Sequence, residues 1–506
     1  MSPNNKFSWD SKVVKFLELL LDLLIILFCF ILARSINEFI TGSRFLILSD
    51  AIRGIADFDE VLSVLTVSGI FMFFAAINFY IYKTSVTNKN YSTVMQNVVI
   101  SLVLASIGQI LVSVLLPDFT DFRITNPILV AQSLFLQIFF LGLYKYFLWR
   151  FLRKKNRKQI LICGPREEAE KLCKKILLDR SHFKRVKYLC FENDRKIDEN
   201  IFNLFDEVSQ VYLTPSLLEK NKNKILMFCI NKKKIDVVMV PKIYEIGILD
   251  SRIESMSDIL TFGVKSMKLS VEQRFLKRTF DIIVSLIGLI LSFPIVLICG
   301  IIIKIQDKGD AIFTQERLTR DGRIFKMYKL RSMKMNAEAE SGMILSTNKD
   351  PRVTKFGKFL RRSRIDEVPQ LWNVLKGDMS LVGPRPERPG LMEEIKLTVP
   401  DFEYRLNVKP GITGFAQALG TYSTKFDDKL RYDLYYIRKY SFLFDLQIIL
   451  YTLKSLFDKK SSMGISADTG LNEVLDKFNI KYEETEHQLN LLKVPKLQRK
   501  KRGESA

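Results

Sequence analysis

Two adjacent carboxylates, Asp366 and Glu367, follow closely on Arg361, Arg362 and Arg364 in the run Ser363-Arg364-Ile365-Asp366-Glu367-Val368-Pro369-Gln370. Neighbouring cations favour an ionised carboxylate and lower its pKa, which suits a nucleophile or a metal ligand at neutral pH. A few residues on comes Gly383-Pro384-Arg385-Pro386-Glu387. Two prolines fix the backbone on either side of Arg385, and a rigidly held guanidinium makes a good clamp for a phosphate oxygen. A second stiff loop, Lys409-Pro410-Gly411-Ile412-Thr413-Gly414-Phe415-Ala416-Gln417, adds a cation and an amide. Stiff loops carrying cations beside a carboxylate pair describe phosphoryl-transfer chemistry. The chain has only two histidines, His182 and His487, so no His triad or His-rich metal centre can be built. Its six cysteines, Cys29, Cys163, Cys173, Cys190, Cys229 and Cys299, stand singly, which gives neither a disulfide framework nor a zinc site and suits reduced thiols.

The elements that hold these residues are of two kinds. The 506-residue chain carries a formal charge of +22 and is 48% hydrophobic. Apolar segments in a bilayer with basic segments at its anionic surface reconcile the two. Nucleic acid is not expected as a partner, because the basic residues flank apolar runs and no DNA- or RNA-binding motif is present. Four apolar runs, about 19–33, 61–82, 94–116 and 127–149, predict four spanning helices within 1–152. Arg150, Arg153, Lys154, Lys155, Arg157 and Lys158 follow the fourth and predict a cytosolic end there, with the N-terminus also inside. From 153 to 270, β-like runs alternate with helical ones, predicting a Rossmann-like α/β module. Gly164 stands where a dinucleotide fingerprint would have three glycines, so that signal is weak.

The third part, 271–460, opens on Lys277-Arg278-Thr279-Phe280-Asp281 and an apolar run 282–303 interrupted by Pro294. A fifth span would carry everything after Lys304 across the membrane. A helix bent at Pro294 that dips in and returns keeps both basic flanks on one side, as the positive-inside rule prefers. Lys355, Lys358, Arg361, Arg362 and Arg364 interleave with Phe356, Phe359 and Leu360 at helical spacing, which makes a basic amphipathic surface for headgroups. Residues 461–506 read as a mostly disordered tail.

Several of these motifs together resemble the bacterial sugar transferase family, the monotopic polyprenyl-phosphate phosphoglycosyl transferases. They are Lys277–Asp281, Phe313-Thr314-Gln315-Glu316-Arg317, the run from Phe325 to Met333, the Asp366-Glu367 segment, Gly383–Pro386 and Lys409–Gln417, in family order over about 275–457. The spans and α/β module before them resemble the large members, which start exopolysaccharide, capsule or O-antigen synthesis. The resemblance implies a transmembrane bundle, a soluble α/β domain and a mixed α/β catalytic domain whose re-entrant helix, about 280–303, breaks at Pro294. It implies that Asp366 attacks the phosphate bonded to the sugar of a UDP-sugar, with UDP-glucose or UDP-galactose the donors of large members. UMP leaves, and undecaprenyl phosphate takes the sugar phosphate from the enzyme. By the same resemblance Glu367, with Asp366, holds Mg²⁺. Arg361, Arg385 and Lys409 contact phosphate, and Gln417, Lys277 and Arg278 join the substrate-binding set. The expected home is the bacterial inner (cytoplasmic) membrane, multi-pass, with the catalytic domain on the cytosolic face and membrane lipids as partners. A homodimer is left open. Here the break is Phe293-Pro294, with Ser292 one residue earlier, and Phe415 stands where a tryptophan is common.

Two other function classes compete. One is a membrane scaffold or regulator sensing a ligand through its α/β module. The other is an NAD-dependent sugar-modifying domain, against which Gly164 and the lack of a Tyr-x-x-x-Lys pair in that module both count. The triplet Asp57-Phe58-Asp59 resembles a metal-binding DxD but falls in a loop predicted to be extracellular.

Overall fold

The computed structural model describes residues 12–40, 86, 91–115, 127–155, 158–178, 184–192, 201–233, 235–307, 309–335, 350–420, 425–457, 470–477 and 480–492. The predicted span 61–82 and the Asp57-Phe58-Asp59 triplet lie outside these. The chain divides into two units, one of residues 1–240 with 469–506 and one of 241–468.

In the first unit, three apolar helices, Lys12–Ile40, Tyr91–Leu115 and Pro127–Lys155, account for three of the four predicted spans. The first and third contain stretches long and apolar enough to cross a membrane, Phe16–Ala33 and Ile128–Leu152. They run antiparallel. Glu18 and Asp22, early in the first helix, meet Lys145, late in the third, at 2.7 and 2.6 Å, while Phe30 and Ala33 pack on Leu129. The triad explains how an apolar span tolerates two acids: a fully buried lysine neutralises part of their charge.

A six-stranded sheet completes this unit, in the order Tyr482–Glu484, Gln488–Leu491, Lys184–Phe191, Lys158–Gly164, Gln210–Leu213, Asp236–Met239. The last four strands are parallel, as alternating strand and helix predicted. Gly164, at φ +157°, is required by close packing: a Cβ there would lie 1.9 Å from Thr214 Oγ1. Two expectations are corrected here. The module ends near Val240, and 241–270 belong to the second unit. Part of the supposed tail is structured: Gln488–Leu491 pairs antiparallel with Lys184–Phe191, and Leu471, Leu475, Ile480, Leu489 and Leu491 enter the module's core. A four-residue strand buried on alternate residues only, with polar ones between, leaves little apolar signal in sequence.

In the second unit, Val271–Asp307 is one helical element of 37 residues with Pro294 inside it. The expected break is therefore not an interruption of the helix. Ser292 Oγ donates to Gly288 O at 2.6 Å just before the proline, a bond that commonly accompanies a bend. Lys277, Asp281, Ser285, Cys299 and Ile303 are buried on one face, while Ile283, Ile287, Ile290, Leu291, Phe293, Leu297, Ile298, Ile301 and Ile305 on the remainder are exposed. Both halves of that inner face pack on the same unit. Leu371 lies 3.0 Å from where a Gly288 Cβ would stand, and Cys299 and Ile303 cluster with Leu330 and Leu360.

Around this helix stand an antiparallel hairpin, Ile312–Leu318 with Ile324–Leu330, and a short parallel pair, Ser380–Val382 with Gly411–Thr413. Helices Lys355–Ser363, Gln370–Lys376, Pro389–Thr398, Phe426–Arg438 and Phe442–Phe457 enclose a core containing Val374, Met379, Phe402, Leu430 and Leu434.

Candidate active site

The helix Lys355–Ser363 begins at Thr354, whose side chain accepts from Gly357 N at 2.9 Å. It ends at Arg364 in the left-handed region, φ 56°. That turn reverses the chain into a single 3₁₀ turn, Ile365–Glu367, which buries the Asp366 carboxyl (9% exposed) instead of leaving it on the surface. Glu367 lies 3.6 Å from Lys329 Nζ and 3.6 Å from Arg364 Nη1. It opens on a small cleft lined also by Arg317, Lys329, Gln370, Arg385 and the Gly411-Ile412 segment.

The two carboxylates are not electrostatically alike. Burial pushes Asp366 up to about 6, and Glu367 beside it adds to this, against the pull of Lys329 and Arg361. Burial also opposes ionisation of Glu367, but Lys329, Arg385 and Arg364 together outweigh it and hold its carboxyl below the usual range. The sequence expectation of a lowered pKa for both thus fails for Asp366, because the turn that places it removes it from water.

Arg385 is exposed between the buried Pro384 and Pro386. Its loop is built by close backbone approach: Gly411 N donates to Pro384 O at 2.9 Å and Gly383 N to Thr413 O at 2.8 Å. A Cβ on Gly411 would stand 2.1 Å from Gly383 N, so glycine is obligatory there. Arg361 points back to Ser332, its Nε donating to Oγ at 2.8 Å, near enough to Asp366 to favour its ionised form.

Other expected site residues lie elsewhere. Lys277 is buried in an ion pair with Asp445 at 2.5 Å and also donates to Tyr436 Oη. Arg278 caps the helix Gln370–Lys376, donating to Val374 O at 2.6 Å and Leu375 O at 2.7 Å. Both therefore join the membrane helix to the fold, and neither lines the cleft. Lys409 does not line it either. Its side chain lies with Arg278 beside Gly377, and burial, with Arg278 and Arg320 nearby, lowers its pKa. Gln417 Nε2 donates at 3.3 Å to the carbonyl of Ile412, a residue that lines the cleft, but Gln417 is not itself among the lining residues. Lys329 and Arg317 were not singled out by sequence, although both sit in motif segments. Period-2 alternation in the strand Ile324–Leu330 puts Phe325, Met327 and Lys329 on the same face, and that was the available signal.

For Mg²⁺ the donor set is small. Among the described residues no group of three or more His, Cys, Asp or Glu gathers in one place. An ion that keeps several waters and takes phosphate oxygens needs only one or two carboxylates, the number that Asp366 and Glu367 would offer. The residues fit such an ion and do not form an all-protein cage.

The bacterial sugar transferase family model matches residues 272–459. The chain is 34% identical over 261 residues to the UDP-glucose:undecaprenyl-phosphate glucose-1-phosphate transferase of Escherichia coli (strain K12), covering 51% of this chain and 56% of that protein. It is 36% identical over 211 residues to the undecaprenyl-phosphate galactose phosphotransferase of Salmonella typhimurium, covering 39% and 44%. With the putative undecaprenyl-phosphate N-acetylgalactosaminyl 1-phosphate transferase of Bacillus subtilis it shares 52% over 131 residues, 26% of this chain and 73% of that protein. The match spans about half the length of the first two relatives but nearly three quarters of the third. This chain belongs to the bacterial sugar transferase family.

Proposed function

We propose that the chain transfers a sugar 1-phosphate from a UDP-sugar to undecaprenyl phosphate through a phosphosugar-aspartyl intermediate, the first step in building an exopolysaccharide, capsule or O-antigen. The observation that carries this is a cleft in which Glu367 meets Lys329, Arg317 and Arg385, with the buried Asp366 beside it in the chain, on a unit whose helix offers a continuous apolar face. In the first half-reaction an Asp366 carboxylate oxygen attacks the phosphorus bonded to the sugar. The bond to UMP breaks and UMP carries away the negative charge. In the second, a phosphate oxygen of undecaprenyl phosphate attacks the same phosphorus, Asp366 leaves as carboxylate, and the lipid diphosphate sugar forms. A covalent relay divides one hard transfer into two easier ones and lets a soluble donor and a lipid acceptor use one site in turn.

The chain's own groups have separable tasks. Arg385 and Arg317 offer guanidiniums to the diphosphate, and Lys329 screens the two carboxylates from each other. Glu367 with Asp366 would hold a Mg²⁺ ion, which when bound would neutralise part of the diphosphate charge. Burial makes Asp366 the more basic carboxylate, which favours it over Glu367 as nucleophile. All these groups come from one chain, so the proposal needs no second copy.

The membrane helix is read as re-entrant. Packing of both its halves on the same unit supports this, since a straight span would carry one end away to the far side. The parallel strands of the first unit support a Rossmann-like module, and Glu168 bonding Ser216 N and Oγ there works against a bound dinucleotide phosphate. The proposed location is the bacterial inner membrane, with cleft and module on the cytosolic side. The relatives' printed names differ in sugar, with glucose, galactose and N-acetylgalactosamine all represented, so we favour UDP-glucose or UDP-galactose only as the first donors to try. The test is release of UMP from a panel of UDP-sugars by membranes supplied with undecaprenyl phosphate. Turnover lost in Asp366→Asn is expected. No turnover with any donor would favour the scaffold reading instead.

A further inference from the structure

We propose that Arg405 and Asp433 are positioning residues for Arg385, acting through Glu387. The inference rests on the transferase reading and adds to it how the phosphate-facing guanidinium is held. Arg385 is exposed, and its place depends on the backbone beneath it. That backbone is tied at three carbonyls: Gly411 N donates to Pro384 O at 2.9 Å, Arg317 Nη1 to Pro386 O at 3.1 Å, and Leu318 N to Glu387 O at 3.0 Å. The fourth tie is a side chain. Glu387 Oε1 accepts from Arg405 Nη1 at 3.2 Å, and Arg405 Nη2 lies 2.8 Å from Asp433 Oδ2. Arg405 is 3% exposed and Asp433 1%, so the network is closed to water, and the Arg405 guanidinium lies over the Phe402 ring at 4.6 Å.

This arrangement does two things for Arg385. It engages the Glu387 carboxylate, which stands two residues from Arg385, with a buried guanidinium. It also fixes the loop to the helix Phe426–Arg438, which carries Asp433, so that the guanidinium is presented from a rigid body. A buried arginine shared by two acids is a weak source of stability, since three groups are desolvated to make it. Fixing one geometry is the better account of it.

A double-mutant cycle tests this, because two residues that act through one another are non-additive while independent structural damage adds. Asp433→Asn and Arg405→Lys are each made alone and in an Arg385→Ala background. Both kcat/KM for UMP release and the Kd for UMP as probe are read on the full-length membrane protein. Each substitution alone should lower kcat/KM by about 10- to 100-fold, the usual size for a residue that orients a functional group. It should change either quantity less than about twofold once Arg385 is absent. An equal loss in both backgrounds overturns the proposal. Glu387→Gln, which keeps shape and removes the charge, is carried through the same cycle in case the buried variants do not fold. A wild-type protein that releases no UMP from any UDP-sugar would instead defeat the transferase reading, and the two failures are separately visible.

Discussion

The substitution Lys277→Met separates two possible posts for this lysine. As a phosphate ligand, its loss should weaken donor binding. As the buried partner of Asp445, its loss should cost stability. Nζ and Oδ2 are 2.5 Å apart with side-chain exposures of 8% and 3%, and Tyr436 Oη donates to the other carboxylate oxygen at 2.8 Å. Removing one partner of such a pair costs about 3–5 kcal/mol, because the remaining charge stays buried without compensation. For a unit of this size that is a fall in Tm of about 6–20 °C. Lys277→Met should show this in thermal unfolding of the detergent-solubilised protein, with KM for the UDP-sugar within about twofold of wild type. The loss should deepen as pH rises. Burial already raises Asp445, with Lys277 the main opposing influence, so without the lysine its folded pKa rises further. A carboxyl whose folded pKa exceeds its unfolded value favours folding while protonated, and that advantage is lost as pH rises through the folded pKa. Replacing both partners, Lys277→Met with Asp445→Leu, should return most of the stability. An unchanged Tm with a raised KM in Lys277→Met would refute the structural assignment.

Asp366→Asn and Asp366→Ala should each abolish UMP release while membrane insertion, read by fractionation, persists; full activity in either would end the case for Asp366 as nucleophile. Gly411→Ala places a methyl 2.1 Å from Gly383 N and 2.3 Å from Thr413 O. It should disrupt the Arg385 loop and cost at least about 2 kcal/mol, and a wild-type unfolding curve would contradict it. Deleting 470–506 removes five buried apolar side chains from the module's core, worth about 1.5–3 kcal/mol each. The module should then become protease-sensitive, whereas a dispensable tail predicts no change. Cysteine labelling before Lys277 and after Lys304 should report the same side of the membrane, and opposite sides would mean a true fifth span.

Legibility in the sequence tracked how local the physics is. The apolar runs were plain because twenty apolar residues announce themselves without partners. The Asp366-Glu367 pair and the Gly383–Pro386 loop were plain because their spacing and stiffness are covalent. The antiparallel strand Gln488–Leu491 was missed because its partner lies some 300 residues earlier and only alternate side chains reach the core. The partners of Lys277 and Arg278 were not legible, because a cation beside an apolar helix looks the same in sequence whether it meets phosphate, a carboxylate or a helix terminus.

By itself, the sequence supplied the case for phosphoryl transfer, by pairing two carboxylates with stiff cationic loops in a chain almost without histidine, and the apolar runs beside it. Only the tertiary structure decided which cations serve the cleft. It brought Lys329 and Arg317 into one cleft with Glu367, buried Lys277 against Asp445, set Arg278 on the end of the helix Gln370–Lys376, and placed Lys409 beside Gly377. It also decided that the two adjacent carboxyls differ, since a left-handed turn at Arg364 buries Asp366 while Glu367 meets cations from three separate segments. The reason is physical: a pKa and a phosphate site are set by charges within a few ångströms in space, and the segments that supply them here lie tens of residues apart in the chain.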